Sequence, residues 1–307
     1  MSEPRPSRTV AIALVIVVLA GGGVAAGVLH YVNQPKPAPV PFAVASGDNA
    51  TVNYIGILGS GPEQGRVFDT SIQSVALNNA TYPKALEYTL RGSASQYTPL
   101  PVHVGSSAPS GGYTIGNLTF ATVVPGFWQG LLGMIGNQTR ILTIPPALAY
   151  GPVKPACLVT KPLTFTVPVL VIENSSAFAR AFPGVSPAIG TEFPDPTYQW
   201  TDLVLNANAS SITVERLPSL GFASHPNGWP AVVTNLTSTE ITLTNQLSPA
   251  SAGLVLGHST GSPTCGSNQF IVSAVNVAAG TFTENYNPEV QGQTLIFIVT
   301  GINIYRP

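Results

Sequence analysis

Side chains able to do covalent or acid–base chemistry are few in this chain. Its four histidines, His30, His103, His225 and His258, stand far apart in 307 residues. None belongs to a His-Glu-x-x-His or similar metal-binding spacing, and no Gly-x-Ser-x-Gly elbow is present. Gly21, Gly22 and Gly23 lack the Lys-Ser/Thr that a phosphate loop needs. Cys157 and Cys265 are the two cysteines, too few for a disulfide framework or a structural zinc site. An oxidising compartment would pair them and a reducing one would leave two thiols, and the sequence leaves both open. No metal and no cofactor is called for. A protein with this inventory works by binding and desolvation, or it is not an enzyme.

The elements that must position any such binding site are mostly strands. Residues 50–58 (ATVNYIGIL) and 99–104 (PLPVHV) alternate apolar and polar side chains, and 139–145 (TRILTIP) reads as a third strand. One short helical turn is expected around 126–134 (GFWQGLLGM), and the Gly- and Ser-rich stretches RGSASQYT and GSSAPSGGYTIGN read as loops. Further on an internal repeat appears. Trp200 is followed twelve residues later by Ile212-Thr213-Val214, and Trp229 at the same offset by Ile241-Thr242-Leu243. Each unit carries a polar turn midway, so it reads as a hairpin used twice, with a weaker third copy from Phe270 to Phe282.

Composition sets the outer limits. Charged residues make up 8% of the chain and the net charge is −1, so no basic surface exists for nucleic acid. From Val10 to Val32 no Asp, Glu, Lys or Arg occurs, and such a run suffices to cross about 30 Å of hydrocarbon as one N-terminal transmembrane helix. Arg5 and Arg8 precede it, which puts the residues after about 33 outside the cell membrane by the positive-inside rule. Prolines at 35, 37, 39 and 41 then make an extended spacer. Seven Asn-x-Ser/Thr sequons, at Asn49, Asn79, Asn117, Asn137, Asn174, Asn208 and Asn235, lie beyond the apolar run. They fit a translocated, glycosylated surface, and equally a chain rich in Asn, Ser and Thr.

Five strings carry a resemblance. VNYIG (52–56), GRVFDTS (65–71), VVPGFWQGLLGM (123–134), IPPALAYG (144–151) and GQTLIFIVT (292–300) are similar, in order, to the consecutive motifs of FKBP-type peptidyl-prolyl isomerases. The first four span roughly 100 residues and the fifth is displaced toward the C-terminus. That displacement resembles the SlyD-like and long archaeal members, in which a chaperone domain interrupts the isomerase before its last strand. The fold class so implied is α+β: an FKBP-like antiparallel sheet wrapped on a short helix, with an all-β insert of repeated hairpins behind the membrane anchor. The expected layout is 1–33 tail and anchor, 34–43 linker, 44–165 with 285–307 isomerase, and 166–284 insert. PLTFTVPVLVIE (162–173) competes for the role of last isomerase strand, which would make the rest an appended domain; TLIFIVTGI is the better match.

The resemblance places Tyr54, Phe68, Asp69, Val123, Val124, Phe127, Tyr150 and Phe297 in the catalytic cup, with Leu100 binding substrate. Apolar walls with few polar groups suit a prolyl ring. The activity implied is rotation about the X-Pro amide, whose barrier of about 18–20 kcal/mol comes from resonance, and a dry cup favours the twisted, less polarised transition state. Val123 and Val124 would supply a backbone donor, Tyr150 a hydroxyl, and Asp69 an acceptor orienting its neighbours. The partners expected are unfolded or proline-containing polypeptides, with Trp200 and Trp229 of the insert also binding them. Position 127 is Phe where many members have Trp, and an extra segment, about 106–121, precedes the helix. A non-catalytic chaperone and a repeat-bearing surface protein remain as alternatives.

Overall fold

The computed structural model describes residues 42–259 and 265–306. The anchor expected over 10–32 and nearly all of the spacer lie outside the described residues. Among the described ones, no helix is long and apolar enough to cross a membrane.

The alternating run after the spacer forms β1 (Asn49–Leu58), and β2 (Val67–Thr70) folds back on it. A short helix, α1 (Gln73–Leu77), precedes β3 (Leu100–His103), β4 (Tyr113–Ile115) and β5 (Leu118–Thr122). Helix α2 (Pro125–Leu131) begins with proline at its first position, where the missing N–H has no partner to lose. β6 (Arg140–Ile144) comes next. Then β7 (Leu158–Pro162), β8 (Thr164–Pro168) and β9 (Leu170–Asn174) run almost without a break into α3 (Ser175–Ala181), which the Asn174 side chain caps through the Ala177 N–H. Three groups of three strands succeed it: β10 (Glu192–Pro194), β11 (Thr201–Ala207) and β12 (Ser211–Arg216); β13 (Ala223–Ser224), β14 (Ala231–Leu236) and β15 (Glu240–Asn245); β16 (Leu256–His258), β17 (Gln269–Asn276) and β18 (Thr281–Asn285). The last strand is β19 (Leu295–Tyr305). The described residues are mostly sheet with a few short helices.

β19 lies between β1 and β6 in a seven-stranded sheet ordered β4-β5-β3-β1-β19-β6, with β2 beside β1. Central strands are covered on both faces, so β1 is buried along nearly its whole length rather than on alternate residues. One face packs α2, through Phe127 and Leu131, on Val52, Tyr54, Leu142, Ile144 and Phe297. The other packs Ile55 and Val67 against Val75 of α1. The sheet is not wholly antiparallel as expected, because β3 and β5 pair in parallel at Val102 and Ala121.

PLTFTVPVLVIE does not join this sheet. Its two halves belong to β8 and β9, which pair with β15 and β12, while β7 pairs with β18. Three four-stranded sheets result, β10-β11-β12-β9, β13-β14-β15-β8 and β16-β17-β18-β7. The strands flanking them in sequence, β6 and β19, are neighbours in the seven-stranded sheet. Residues 158–174 are therefore one extended strap serving three repeats in reverse order, and the change of sheet falls near 158 rather than the expected 166. The described residues from 43 onward form one compact unit.

The repeat extends to backbone detail. Each hairpin carries a bulge at the equivalent place, between Val204 and Asn206, Val233 and Asn235, and Val272 and Ala274. In that register Trp200 and Trp229, four residues before the bulge, align with Asn268 and not with Phe270, which corrects the expected third copy. Cys157 and Cys265 are bridged, with Cα atoms 5.7 Å apart, tying the start of the strap to the third repeat. Asn49 is 2% exposed and meets the His103 ring at 3.0 Å, so that sequon is not open to a glycan as expected; the other six asparagines are exposed.

Candidate functional site

An open cup of about 400 Å³ lies on the seven-stranded sheet, lined by Tyr54, Phe68, Asp69, Leu100, Thr122, Val123, Val124, Phe127, Tyr150 and Phe297. Its floor comes from antiparallel neighbours. β1 and β19 pair Gly56 with Phe297 and Tyr54 with Val299, and β2 sets Asp69 opposite Gly56. Gly56 carries no side chain, and a Cβ there would stand 2.7 Å from the Phe68 ring and 3.1 Å from the Phe297 ring. The rings thus close over the strand. Phe297 meets Phe127 edge to face at 4.8 Å and Phe68 at 5.5 Å, an arrangement that holds each in one orientation.

One wall is polar and internally bonded. The Tyr54 hydroxyl donates to Asp69 Oδ2, while Asp69 Oδ1 accepts the Thr70 N–H at 2.8 Å and an Arg91 guanidinium N–H at 3.1 Å. The same Arg91 nitrogen reaches the Tyr54 oxygen at 3.3 Å. Arg91 lies over the Tyr97 ring, and its backbone N–H donates to the Tyr97 hydroxyl at 3.0 Å. Burial first, then the Asp69 charge and hydrogen bond, push the Tyr54 phenol well above its ordinary range. It stays a hydroxyl at any physiological pH, and Asp69 is committed as an acceptor. Proton transfer is not what this wall is built for.

The rim supplies the free donors. Val124 is the N-cap residue of α2 and lines the cup, and no acceptor among the described residues takes its N–H. Tyr150 is 50% exposed, on a turn where Gly151, at φ +80°, donates back to the Pro146 carbonyl at 2.8 Å. Burial and then the Asp69 charge raise the Tyr150 phenol, so it too remains a donor. The cup therefore presents an apolar floor, one unsatisfied backbone N–H and one hydroxyl to whatever enters it.

All nine residues that the motifs assign to the cup and rim are brought together here. Thr122, Arg91 and Tyr97 join them without a sequence signal; the latter two sit in a polar loop with no periodicity to mark them. Within the extra segment, 106–121, no residue lines the cup: its hairpin adds β4 and β5 to the sheet edge. Trp200 and Trp229 need correction. They are 2% and 4% exposed in the cores of the second and third repeats, Trp200 stacked on Tyr198 and Trp229 donating to Asn245 Oδ1 at 2.9 Å. Large aromatics recurring once per repeat fill its interior, and neither indole can touch a client.

The family model for FKBP-type peptidyl-prolyl cis-trans isomerase matches residues 112–170, which include Val123, Val124, Phe127 and Tyr150. The "FK506-binding protein 2" of Yarrowia lipolytica (strain CLIB 122 / E 150) is 33% identical over 131 residues, 42% of this chain. The chain spans 62% of the length of that curated relative. In the stretch that supplies the rim and helix of its cup, this chain is similar to FKBP-type isomerases.

Proposed function

We propose that the chain is a peptidyl-prolyl cis-trans isomerase acting on exposed X-Pro segments of polypeptides. The observation that carries this reading is the convergence of Tyr54, Phe68, Phe127 and Phe297 on one largely apolar cup whose rim offers the Val124 N–H and the Tyr150 hydroxyl. The prolyl ring sits on the Phe127 floor, the carbonyl before it takes the Val124 N–H, and the amide leaves water. Loss of hydration costs the planar, polarised amide more than the twisted one. No nucleophile, metal or proton transfer enters. Exchange measured by NMR on an X-Pro tetrapeptide should accelerate in proportion to added protein. A folded chain giving no acceleration would end the reading.

We further infer that the enzyme acts outside the membrane, held by the apolar run at 10–32, on proteins folding there. The Cys157–Cys265 bridge supports this, since disulfides persist in oxidising compartments. With the indoles buried, client binding by the repeats would fall to side chains that are exposed, among them Leu170 at 50%, Ile172 at 72% and Leu205 at 40% in the β9 sheet. Replacing these three by Ser should weaken capture of a reduced, unfolded test protein and leave tetrapeptide turnover unchanged. Unchanged capture would remove the repeats from client binding.

A further inference from the structure

Arg91 braces the cup's polar wall, yet its bonds to that wall alone would hold it weakly. Its guanidinium Nη2 donates to Asp69 Oδ1 at 3.1 Å and reaches the Tyr54 oxygen at 3.3 Å. The Asp69 side chain is 45% exposed, and an ion pair open to water contributes little against the freedom of a long arginine side chain. The residues that follow Arg91 supply the rest. Nη1 donates to the Gln96 carbonyl at 2.9 Å. The Arg91 backbone N–H donates to the Tyr97 hydroxyl at 3.0 Å, while the guanidinium carbon stands 5.2 Å from the centre of the same Tyr97 ring. One phenol thus meets Arg91 at both ends, its oxygen at the backbone and its ring under the charge, where a cation is attracted to the π face. Tyr97 is itself held. It follows a single 3₁₀ turn, Ala94–Gln96, in which Ser93 and Gln96 cap each other, and its N–H donates to the Ala94 carbonyl at 3.2 Å.

We propose that Tyr97 is a positioning residue for the cup: lying as a splint along Arg91, it aims the guanidinium at Asp69 and the Tyr54 hydroxyl and so fixes the wall beside which an X-Pro segment turns. The proposal rests on the isomerase reading of the cup. Arg91 and Tyr97 stand behind the lining of the cup rather than in it. Any effect of Tyr97 on turnover therefore passes through Arg91 to Asp69 and Tyr54, which do line it. With Nη1 on the Gln96 carbonyl and the guanidinium over the ring, Nη2 is left facing the wall. Asp69 Oδ1, which also takes the Thr70 N–H at 2.8 Å, is then held between two donors, and Oδ2 stays with the Tyr54 hydroxyl. Without the Tyr97 side chain, Arg91 keeps its charge but gains rotamers in which Nη2 faces water, and Asp69 and Tyr54 gain a matching freedom. Loosening of that kind costs turnover rather than folding, because the apolar floor of Phe68, Phe127 and Phe297 is untouched.

The test is a double-mutant cycle on the full chain, read both as kcat/KM for an X-Pro tetrapeptide and as the NMR signals of the Arg91 guanidinium. Tyr97→Ala should lower kcat/KM about three- to tenfold, and Arg91→Ala by at least as much. The double variant should lose no more than Arg91→Ala alone, since a residue that acts through Arg91 then has nothing left to position. Tyr97→Phe, which keeps the ring under the charge, should recover most of the rate. In wild type and Tyr97→Phe the Nη1 and Nη2 protons should give separate signals, because the group is bonded on two sides; in Tyr97→Ala they should merge as it rotates. A wild-type kcat/KM in Tyr97→Ala, losses that multiply in the double variant, no recovery in Tyr97→Phe, or separate signals persisting in Tyr97→Ala overturns the proposal. Should Tyr97→Ala not fold, Tyr97→Leu, with apolar bulk but neither ring nor hydroxyl, takes its place in the cycle. Should wild type turn over no peptide, the isomerase reading fails and the NMR signals alone decide: separate in wild type and merged in Tyr97→Ala sustains the splint, and any other pattern overturns it.

Discussion

Gly56 shows how tightly the cup is specified at the scale of single residues. Any side chain there would push into the Phe68 and Phe297 rings. Gly56→Ala should thus displace a wall without emptying the core, at a cost of about 1–3 kcal/mol in stability. Thermal unfolding and kcat/KM measured together should show turnover falling about tenfold in a protein that still folds; unchanged turnover would mean the rings do not contact substrate. Asp69→Asn should be milder, because Tyr54 keeps an acceptor and no proton moves, and its effect should be flat from pH 6 to 9. Most of the cup is legible in the sequence, since VNYIG, VFDT, VVPGF and LAYG each carry a resemblance and a strand or helix position together. Arg91 and Tyr97 are not. Their role comes from where a 29-residue connection between β2 and β3 brings them, and nothing local in a Gly- and Ser-rich loop encodes that. Trp200 and Trp229 stand out for recurring and mislead for the same reason: recurrence marks a repeat's core as readily as its surface.

At the scale of elements, the hairpins are readable from spacing while the strap is not. PLTFTVPVLVIE, which holds β8 and most of β9, reads as strand from sequence, but the partners of the strap lie far along the chain, Asn285 opposite Leu158 and Ser211 opposite Asn174, and local pattern does not name them. Buried polar residues now report on each repeat. Asn245 bonds Trp229 through Oδ1 and the Leu163 carbonyl through Nδ2, both at 2.9 Å, joining the second repeat to the strap. Asn245→Ala should leave the buried Trp229 indole N–H unpaired, while the Leu163 carbonyl keeps the backbone N–H of residue 245, and cost about 1–3 kcal/mol, read as a lower denaturant midpoint; a loss under about 0.5 kcal/mol would mean water replaces the amide. In the first repeat Asp202, 1% exposed, has its carboxyl lifted to about 7 by burial and then by the Asp195 charge. An acid raised in the folded state loses stability as pH climbs from about 4 through 7. Asp202→Asn should accordingly raise the melting temperature at pH 8 and change it little at pH 4. The opposite order would mean Asp202 is ionised and paired in the native fold.

The whole molecule is one chain that leaves the seven-stranded sheet after β6 and comes back to it beside the place it left. The Tyr286 N–H donates to the Cys157 carbonyl at 2.9 Å, and the Asn287 side chain bonds Lys154 in both directions, at 2.9 and 3.2 Å. Ends held so close can be joined by a short turn. Replacing residues 158–285 by two or three turn-forming residues should leave a folded sheet that still turns over tetrapeptides. Excision at 175–284 would strand β7, β8 and β9 without partners and should aggregate. The central claim is that the cup on the seven-stranded sheet is where X-Pro bonds rotate, and it is tested most directly by NMR exchange on one X-Pro tetrapeptide with wild type, Phe68→Ala and Phe127→Ala, each verified as folded by circular dichroism. The account predicts acceleration by wild type and a loss of about tenfold or more in each variant. Wild-type rates in both variants, or no acceleration by any of the three, would contradict it.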